Sequence, residues 1–527
     1  MDPARKTLII LFSLTLFGIA AGWIYLSRGD VIHSEPGFRM TLSNEPPTLD
    51  WNLATDSVSF AVLINLMEGL AEYDEHLNPK PAVARSWDIS DDGMTYVFHL
   101  REDARWSDGV PVTAHDFEYS WKRLLNPATA AEYAYFLYDI EGAMDYNTGK
   151  NPDPGSVGVR AAGERTLEVR LNKPIVFFPS ITTFMVTFPM RKDVVVQYGD
   201  QWTEPDRIVT NGPFRLKKWH HEYKLTLEPN PEYYGPVPAI KQVDMYVVNE
   251  RTTALTLFET GDIDITELPP EAIEPYKKRP EYRTAPLLRG YYYGFNIHEP
   301  PFSDPLVRRA FSLAVDRTEF PIILKGGEIP SAYWIPPGMP YHNPEIGLRF
   351  NPELARKLLK EAGYPDGGGF PEVTAVFNTG PVNRLVAENL QAQWKRNLGI
   401  QVELDNQEWK VYLSRLQSDT PDLFRLGWGA DYPDPDNFMN LFTSTSGNNR
   451  SEWKNKLFDQ LIARAAAEPD PSKRQADYDR AQQILLEEEA AITPLFVATQ
   501  NWAISPRVKG LRLNALEMLF LKHLSLE

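Results

Sequence analysis

The pattern of strands and helices along this chain changes near Gly290. Before that residue, short runs of alternating apolar residues are joined by turn signals, as on either side of Asp91-Asp92-Gly93, which is typical of hairpins. After it, strand-like runs such as VTAVFN alternate with helix-like runs such as NRLVAENLQAQWKRNLG, which indicates crossovers and a partly parallel sheet. A chain of 527 residues also exceeds one ordinary domain. The sequence therefore predicts a mixed α/β (α+β) protein with two lobes and a ligand cleft between them.

Composition excludes several classes of function. The chain has no cysteine, which excludes disulfides, thiolate metal ligands and a cysteine nucleophile. Its net charge of −17 argues against a nucleic-acid partner, because phosphate binding needs clustered lysine and arginine. The only close histidine pair, His220-His221, shares neither a helix face nor a strand face. No nucleophile elbow, zinc-protease motif or Walker loop occurs, so we expect no metal and no cofactor.

The amino terminus has the pattern of a membrane segment. Arg5 and Lys6 precede an uncharged run from residue 7 to residue 26, and roughly 20 apolar residues suffice to cross a bilayer with the basic end in the cytoplasm. The rest of the chain is therefore expected outside the cytoplasm. Gly18-Ile19-Ala20 has the small residues of a signal-peptide cleavage site, but the apolar run continues beyond it. We favour an uncleaved anchor and tether over residues 1–37, with a cleaved signal as the alternative.

The stretch RLGWGADYPDPDNF, residues 425–438, places Asp431 after two glycines and a tryptophan, and two prolines stiffen the segment beyond the acid. A pocket wall that presents one carboxylate to a ligand needs this arrangement, whereas a solvated loop does not. The alternating acids suggest a calcium loop, but Phe438 stands where such a loop needs glycine. Tyr432 likewise stands at the third glycine position of a dinucleotide loop. We therefore expect a ligand-facing acid, with a surface acid as the alternative, and no metal.

Several segments, taken in order, resemble the oligopeptide- and dipeptide-binding extracytoplasmic receptors of ABC importers. The resemblance runs from about residue 38 to about residue 524. Its segments are EPPTLDW, NLMEGLAEYDEHLNPKPAVARSWDISDDGMTYVFHLREDARWSDGVPVTAHDFEYSWKRL, IVTNGPFRLKKW, FETGDIDI, YYYGFNIHEPPFSDPLVRRAFSLAVDR, LGIQVELDNQEWKVYLSRL, GWGADYPDPDNF and FLKHLSL. One such motif alone is weak evidence, but their shared order along nearly the whole chain makes the match strong.

The resemblance implies a periplasmic-binding-protein architecture of two lobes that close on the ligand, with an extra domain inserted in the first lobe. On that basis the first lobe comprises residues 38–57, 185–289 and 500–527. The inserted domain comprises residues 58–184, and the second lobe residues 290–499.

The resemblance also implies a role for Asp431, because in that family the acid after the Gly-Trp-x-Ala run receives the α-ammonium of the bound peptide. A peptide that enters a closed cleft brings a cation out of water, which is costly unless the cation is paired. Gly427 and Gly429 would let the backbone approach the ligand, and Trp428 would form the wall of a side-chain pocket.

Further positions match the second lobe of the family. Trp409 matches a tryptophan of the cleft, with core packing as the alternative. Arg425, Arg415 and Lys325 match basic residues that meet the peptide carboxylate or an acidic side chain, with solvated charge as the alternative for Arg415 and Lys325. Asn383 stands where some relatives carry a basic or histidine side chain, so the preferred peptide length is left open.

The first lobe and the inserted domain supply the remaining candidates. Glu45 is expected at the mouth of the cleft, and Tyr133 and Tyr135 are expected to reach the ligand from the inserted domain. In the run from Tyr291 to Tyr293, alternation places one face in the cleft, and the sequence leaves open which face.

The function implied is that of a non-catalytic, monomeric receptor that delivers short peptides to the permease subunits of an ABC importer. It would act in the periplasm or at the extracytoplasmic face of the inner membrane. Two alternatives of the binding class stay open, namely a receptor for another solute (a nickel chelate, a murein peptide or a sugar) and a signalling receptor. An extracytoplasmic hydrolase is the alternative from a different class, since a pair of carboxylates among 71 acidic residues is able to mimic a glycosidase site.

Overall fold

The computed structural model describes residues 37–527. The predicted membrane segment and nearly all of its tether therefore lie outside the described residues. Within residues 37–527, no helix has both the length and the apolar character needed to cross a membrane.

The described chain contains β-strands and α-helices, which are numbered here in sequence order. The strands are β1 (Phe38–Leu42), β2 (Ala71–Tyr73), β3 (Pro79–Pro81), β4 (Ala84–Ile89), β5 (Thr95–Leu100), β6 (Val159–Gly163), β7 (Thr166–Arg170), β8 (Phe214–His220), β9 (Lys224–Pro229), β10 (Val243–Val247), β11 (Ile265–Glu267), β12 (Tyr282–Phe295), β13 (Ile329–Pro330), β14 (Val373–Asn378), β15 (Val402–Gln407), β16 (Leu423–Gly429), β17 (Ile492–Ile504), β18 (Val508–Lys509) and β19 (Ser525–Leu526). The α-helices are α1 (Ser57–Leu66), α2 (Ala114–Leu125), α3 (Ala143–Asn147), α4 (Phe178–Ile181), α5 (Lys192–Tyr198), α6 (Arg251–Glu259), α7 (Pro270–Tyr276), α8 (Pro305–Leu313), α9 (Glu319–Leu324), α10 (Pro352–Glu361), α11 (Pro381–Leu398), α12 (Trp409–Ser418), α13 (Asp436–Met439), α14 (Lys456–Ala467) and α15 (Pro471–Gln483).

Three larger sheets organise these elements. One has the order β1-β10-β9-β8, a second the order β4-β5-β7-β6, and the third the order β11-β17-β12-β16-β14-β15 with β13 beside β17. In the third sheet β14 pairs in parallel with both β15 and β16, while β12 pairs with β16 and β17 in antiparallel fashion. The predicted partly parallel sheet is therefore confirmed, and so is the hairpin around Asp91-Asp92-Gly93, which joins β4 to β5.

Two helix starts can be compared with the capping pattern of the sequence. The sequence NPELARKLLKEAGYP predicts Asn351 as the cap of α10, and its side chain accepts from the backbone N–H of Leu354. The sequence SDPLVRRAFSLAVD predicts Ser303 as the cap of α8, and this prediction is wrong by one residue. Asp304, not Ser303, accepts from the backbone N–H of Leu306. A carboxylate directly before the helical proline is the better placed acceptor, since it reaches the free N–H groups of the first turn.

Two long strands run through predicted domain borders. β12 continues through Gly290, and β17 continues through Gln500. The two strands pair with each other from Tyr282 opposite Ala503 to Gly294 opposite Ile492, so their ladder spans both borders, with register shifts between Pro286 and Gly290 and between Tyr291 and Tyr292. The borders themselves stay a prediction.

Candidate functional site

The predicted ligand-facing acid lies just beyond the end of a central strand. β16 ends at Gly429, and Asp431 begins the loop that leads into α13. The buried Asn437 holds this loop, because its Oδ1 accepts from Nε1 of Trp428 at 2.8 Å and from the backbone N–H of Asp431 at 3.2 Å. The sequence-based prediction missed Asn437, although an amide within the same motif was an available signal.

The carboxylate of Asp431 is half-buried and has no cationic partner among residues 37–527. Burial raises its pKa to about 6, and a hydrogen bond with the Asn437 side chain opposes part of that rise. Desolvation disfavours the ionised form of an acid unless an opposite charge approaches it. A cation brought by a ligand would therefore stabilise this carboxylate.

Tyr133 and Tyr135 lie close to the same acid, and their predicted contact with a ligand stays a prediction. Their rings stack with centroids 5.6 Å apart. Burial and then the charge of Asp431 raise the pKa of both phenols, that of Tyr133 to about 12. Tyr135 is 49% exposed, so part of its ring faces open space.

A cavity of about 180 Å³, the Asp431 pocket, lies between this acid, α1, β12 and the C-terminal segment. Its walls are mostly apolar. The lining residues are Ser57, Phe60, Ala61, Ile64, Tyr133, Phe184, Met185, Leu287, Leu288, Arg289, Gly429, Ala430, Asp431, Ala515, Leu516, Glu517 and Met518. The pocket thus combines one unpaired carboxylate with a largely hydrophobic surface.

The residues of the Gly-Trp-Gly run have different surroundings. A Cβ on Gly427 would come within 2.9 Å of the carbonyl oxygen of Gly290, so strand packing requires glycine there. A Cβ on Gly429 would contact only the Nε of Arg289, at 3.5 Å, and this glycine lines the Asp431 pocket. Trp428 packs against the main hydrophobic core instead. The predicted ligand contacts of Gly427 and Trp428 stay predictions.

A second polar group, the Arg425 cluster, consists of Arg425, Tyr291, Asn378 and Asn383. The Arg425 guanidinium lies 4.3 Å from the centroid of the Tyr291 ring, and its Nη1 donates to Oδ1 of Asn378 at 3.2 Å. Asn383 accepts from the Tyr291 hydroxyl at 3.0 Å and donates to Oδ1 of Asn378 at 3.1 Å.

Arg425 is half-buried, and its Nε is buried without a hydrogen-bond partner within the described chain. No carboxylate among residues 37–527 forms an ion pair with it, and its guanidinium contacts Asn378 and the Tyr291 ring. Two predicted residues, Arg425 and Asn383, therefore meet in one cluster whose cation is unpaired. Tyr291 is the member of the tyrosine run that contacts this cluster, whereas Tyr292 packs against Trp334 on the other face of the strand.

Three other candidates have surroundings of their own. The Glu45 carboxylate accepts from Nε1 of Trp219 at 2.7 Å and from the backbone N–H of Glu222 at 3.0 Å, so it is held beside the first sheet. Arg415 pairs with Asp405 at 2.9 Å. Lys325 is an exposed residue with a φ of 60° at the end of α9. Their predicted roles toward a ligand stay predictions.

Trp409 begins α12 and is 44% exposed. Core packing, the alternative left open by the sequence, is therefore excluded for this residue. A large exposed aromatic side chain is available to a ligand or a partner surface, and its contact with a ligand stays a prediction.

Buried contacts support the loop that carries Asp431. Asp434 forms a two-point ion pair with Arg474, with distances of 2.7 and 2.8 Å, and both side chains are buried. The Tyr432 ring stacks on Phe177 with centroids 5.3 Å apart. Burial raises the pKa of Asp436 to about 7, and the charge of Asp434 adds to that rise. The loop is thus clamped between α15 and residues of the predicted inserted domain.

This mixed α/β fold, with a pocket built around one unpaired acid, matches the class of periplasmic solute-binding proteins. Residues 78–450 match the family described as bacterial extracellular solute-binding proteins, family 5 Middle. The chain belongs to this family of solute-binding proteins.

Named relatives are similar over most of their length. The oligopeptide-binding protein OppA of Bacillus subtilis is 33% identical over 524 residues, which cover 96% of this chain and 95% of the relative. The periplasmic oligopeptide-binding protein OppA of Salmonella typhimurium is 37% identical over 460 residues, which cover 85% of this chain and 84% of the relative.

Solved structures agree with the fold. The unliganded open form of MppA, a periplasmic murein tripeptide binding protein, has a TM-score of 0.84 at 33% identity and covers 93% of this chain and 97% of its own. Another structure of MppA, from Escherichia coli, has a TM-score of 0.75 at 33% identity. The match covers 94% of this chain and 99% of the MppA chain. OppA of Haemophilus influenzae in complex with RPPGFSPFR has a TM-score of 0.72 at 31% identity. The match covers 93% of this chain and 98% of the OppA chain.

Proposed function

We propose that this protein is a non-catalytic extracytoplasmic receptor that binds short peptides between two lobes and delivers them to the permease subunits of an ABC importer. The observation that carries the proposal is the half-buried carboxylate of Asp431, which has no ionic partner within the described part of the chain and lies in a largely apolar pocket. The α-ammonium of a peptide is the cation that such an acid stabilises. Similarity to named oligopeptide-binding proteins supports the same choice of ligand.

In this proposal the sheet β1-β10-β9-β8 belongs to the first lobe, the sheet β4-β5-β7-β6 to the inserted domain, and the seven-stranded sheet mainly to the second lobe. The ladder between β12 and β17 is the connection about which the lobes move. Of the two MppA structures, the unliganded open form superposes better, which supports an open arrangement here. Closure is then favoured by a ligand that contacts both lobes only in the closed form.

The proposed location is the periplasm or the extracytoplasmic face of the inner membrane, reached through the amino-terminal segment as an anchor or a cleaved signal. The receptor would act as a monomer, without a cofactor, a metal or a nucleic-acid partner. Because backbone pairing and the terminal charges are expected to supply most of the affinity, peptides of many sequences should bind, with affinities that depend on how well individual side chains fit.

Native mass spectrometry of the purified protein, followed by incubation with a peptide mixture, tests this proposal. We expect bound masses that form a ladder of short peptides, and we expect the same peptides to be recovered intact after incubation. A retained sugar or chelate would contradict the choice of ligand, and release of peptide fragments would contradict the absence of catalysis.

Peptide affinity is expected to fall as the pH drops through about 6. Because burial raises the pKa of Asp431 to about 6, this carboxylate is ionised at pH 8 and largely protonated at pH 5, where it no longer attracts an ammonium. We expect a loss of about tenfold between pH 7 and pH 5, measured by calorimetry with a free tripeptide. Asp431→Asn should have a flatter profile, and an equally steep profile in that variant would assign the titration to another group.

The Arg425 cluster is proposed to receive the carboxylate end or an acidic side chain of the peptide. Arg425→Gln is expected to weaken binding of a peptide with a free carboxyl end by about tenfold or more, because a partly desolvated charge pair is lost. Amidation of the peptide's carboxyl end should lower its affinity for the unmodified protein by a similar factor. In the Arg425→Gln variant, the same amidation should lower the affinity little further. Arg396→Gln is the matched control, since Arg396 is exposed and already pairs with Glu319. Equal losses in both variants would contradict the assignment.

A further inference from the structure

The walls of the Asp431 pocket come from separate parts of the chain and are mostly apolar. α1 contributes Phe60, Ala61 and Ile64, and the C-terminal segment contributes Leu516 and Met518. Aromatic contacts hold this wall in place: Phe60 meets the Phe184 ring with centroids 5.4 Å apart and the Tyr133 ring at 6.0 Å. The pocket is therefore a supported hydrophobic recess beside the acid.

Among the described residues, the charges in this recess leave a single unbalanced group. Arg289 and Glu517 both line the pocket, and they pair with each other at 2.9 Å. Asp431 has no such partner within residues 37–527. A ligand group that fits the recess must therefore present one positive charge to Asp431 and an uncharged, apolar body to the remaining wall.

We infer that the Asp431 pocket selects peptides whose first residue has a large apolar side chain, such as leucine or phenylalanine. This inference rests on the proposed function and adds a substrate preference to it. The first side chain is attached to the same Cα as the ammonium, so an ammonium held by Asp431 places that side chain within the recess. Side chains of an extended peptide alternate between opposite faces, so the second residue points away from the wall that holds the first.

The size of the pocket agrees with this preference. A protein cavity of about 150 Å³ lined by leucine, isoleucine and phenylalanine holds a benzene ring. The Asp431 pocket, at about 180 Å³, is of that order. An alanine side chain would leave most of the recess without a partner, and an acidic side chain would bring a second negative charge beside Asp431.

Calorimetry with the peptides Leu-Ala-Ala, Ala-Leu-Ala, Ala-Ala-Leu, Glu-Ala-Ala and Ala-Ala-Ala tests the inference. We expect Leu-Ala-Ala to bind at least about tenfold more tightly than Ala-Ala-Ala, the discrimination typical of a hydrophobic pocket, and Glu-Ala-Ala to bind most weakly. Equal affinities for Leu-Ala-Ala and Ala-Ala-Ala, or a leucine preference only at the second or third position, would overturn the inference while leaving the proposed function intact. Absence of binding by all five peptides would overturn both.

Two variants assign the preference to this pocket. Ala61→Phe fills the recess, and Leu516→Ala removes part of its wall, so each should lower the ratio of the Leu-Ala-Ala to the Ala-Ala-Ala affinity to within about threefold of unity. The second variant keeps the test available if the first does not fold. Ala463→Phe, on an exposed position of α14, is the matched control and should keep the original ratio. An unchanged ratio in a folded Ala61→Phe or Leu516→Ala protein would overturn the assignment.

Discussion

Asp431→Asn is expected to lower the affinity for a free peptide by on the order of a hundredfold or more. The amide keeps the shape of the side chain but removes the charge, so the ammonium of the peptide would lose its water without gaining an ionic partner. Calorimetry at pH 7.5 with a tripeptide measures the change. Asp419→Asn, a substitution of an exposed acid in the predicted second lobe, is the matched control and should bind as the unmodified protein does.

The stability of the same variant separates loss of binding from loss of fold. The folded-state pKa of Asp431 is raised, so its ionised form costs stability above about pH 6, and that cost decreases as the pH falls through 6. Asp431→Asn removes the ionised acid, and its Tm at pH 7.5 should therefore be no lower than that of the unmodified protein. An unaltered peptide affinity in this variant would refute the assigned role of Asp431.

Arg474→Met is expected to lower the free energy of unfolding by about 3–5 kcal/mol, because it leaves the carboxylate of Asp434 buried without its partner. Arg474 and Asp434 are only 6% and 7% exposed, and both guanidinium nitrogens of the pair engage the acid. The same change should loosen the loop that carries Asp431 and weaken peptide binding. Denaturant unfolding and calorimetry measure the two effects.

Two controls accompany that prediction. Arg480 lies on the same helix as Arg474, but its ion pair with Glu488 is exposed. Arg480→Met should therefore change the free energy of unfolding by no more than about 1 kcal/mol. The double substitution Arg474→Met with Asp434→Leu removes the unpaired charge and should recover part of the lost stability. If Arg474→Met were as stable as Arg480→Met, the ion pair would not support the loop.

The local pattern of the sequence predicts much of the fold but only part of the site. The spacing of apolar residues predicts β14 at Val373–Asn378, and the capping residue Asn351 predicts the start of α10. Both elements are predictable because each signal depends on neighbouring residues alone. The motif around Asp431 likewise predicts an acid in a pocket. These features are local, so a linear pattern is sufficient to indicate them.

Contacts between distant residues account for the features that the sequence could not predict. Arg474 supports the site from 40 residues beyond Asp434, and no spacing rule connects a charge on one helix with an acid in a loop. The engagement of Glu45 by Trp219 depends on a pairing across 174 positions. Whether Tyr291 or Tyr292 contacts the Arg425 cluster depends on which face of β12 meets Arg425. The register between β12 and β16 decides which face that is.

The measurement that tests the central claim most directly compares one tripeptide with its N-acetylated form, in the unmodified protein at pH 7.5, by calorimetry. Acetylation removes the ammonium and leaves every side chain and the carboxyl end in place. If Asp431 receives the ammonium, the acetylated peptide should bind on the order of a hundredfold more weakly or not at all. Equal affinities for the two peptides would contradict the claim that this acid recognises the amino terminus of the ligand.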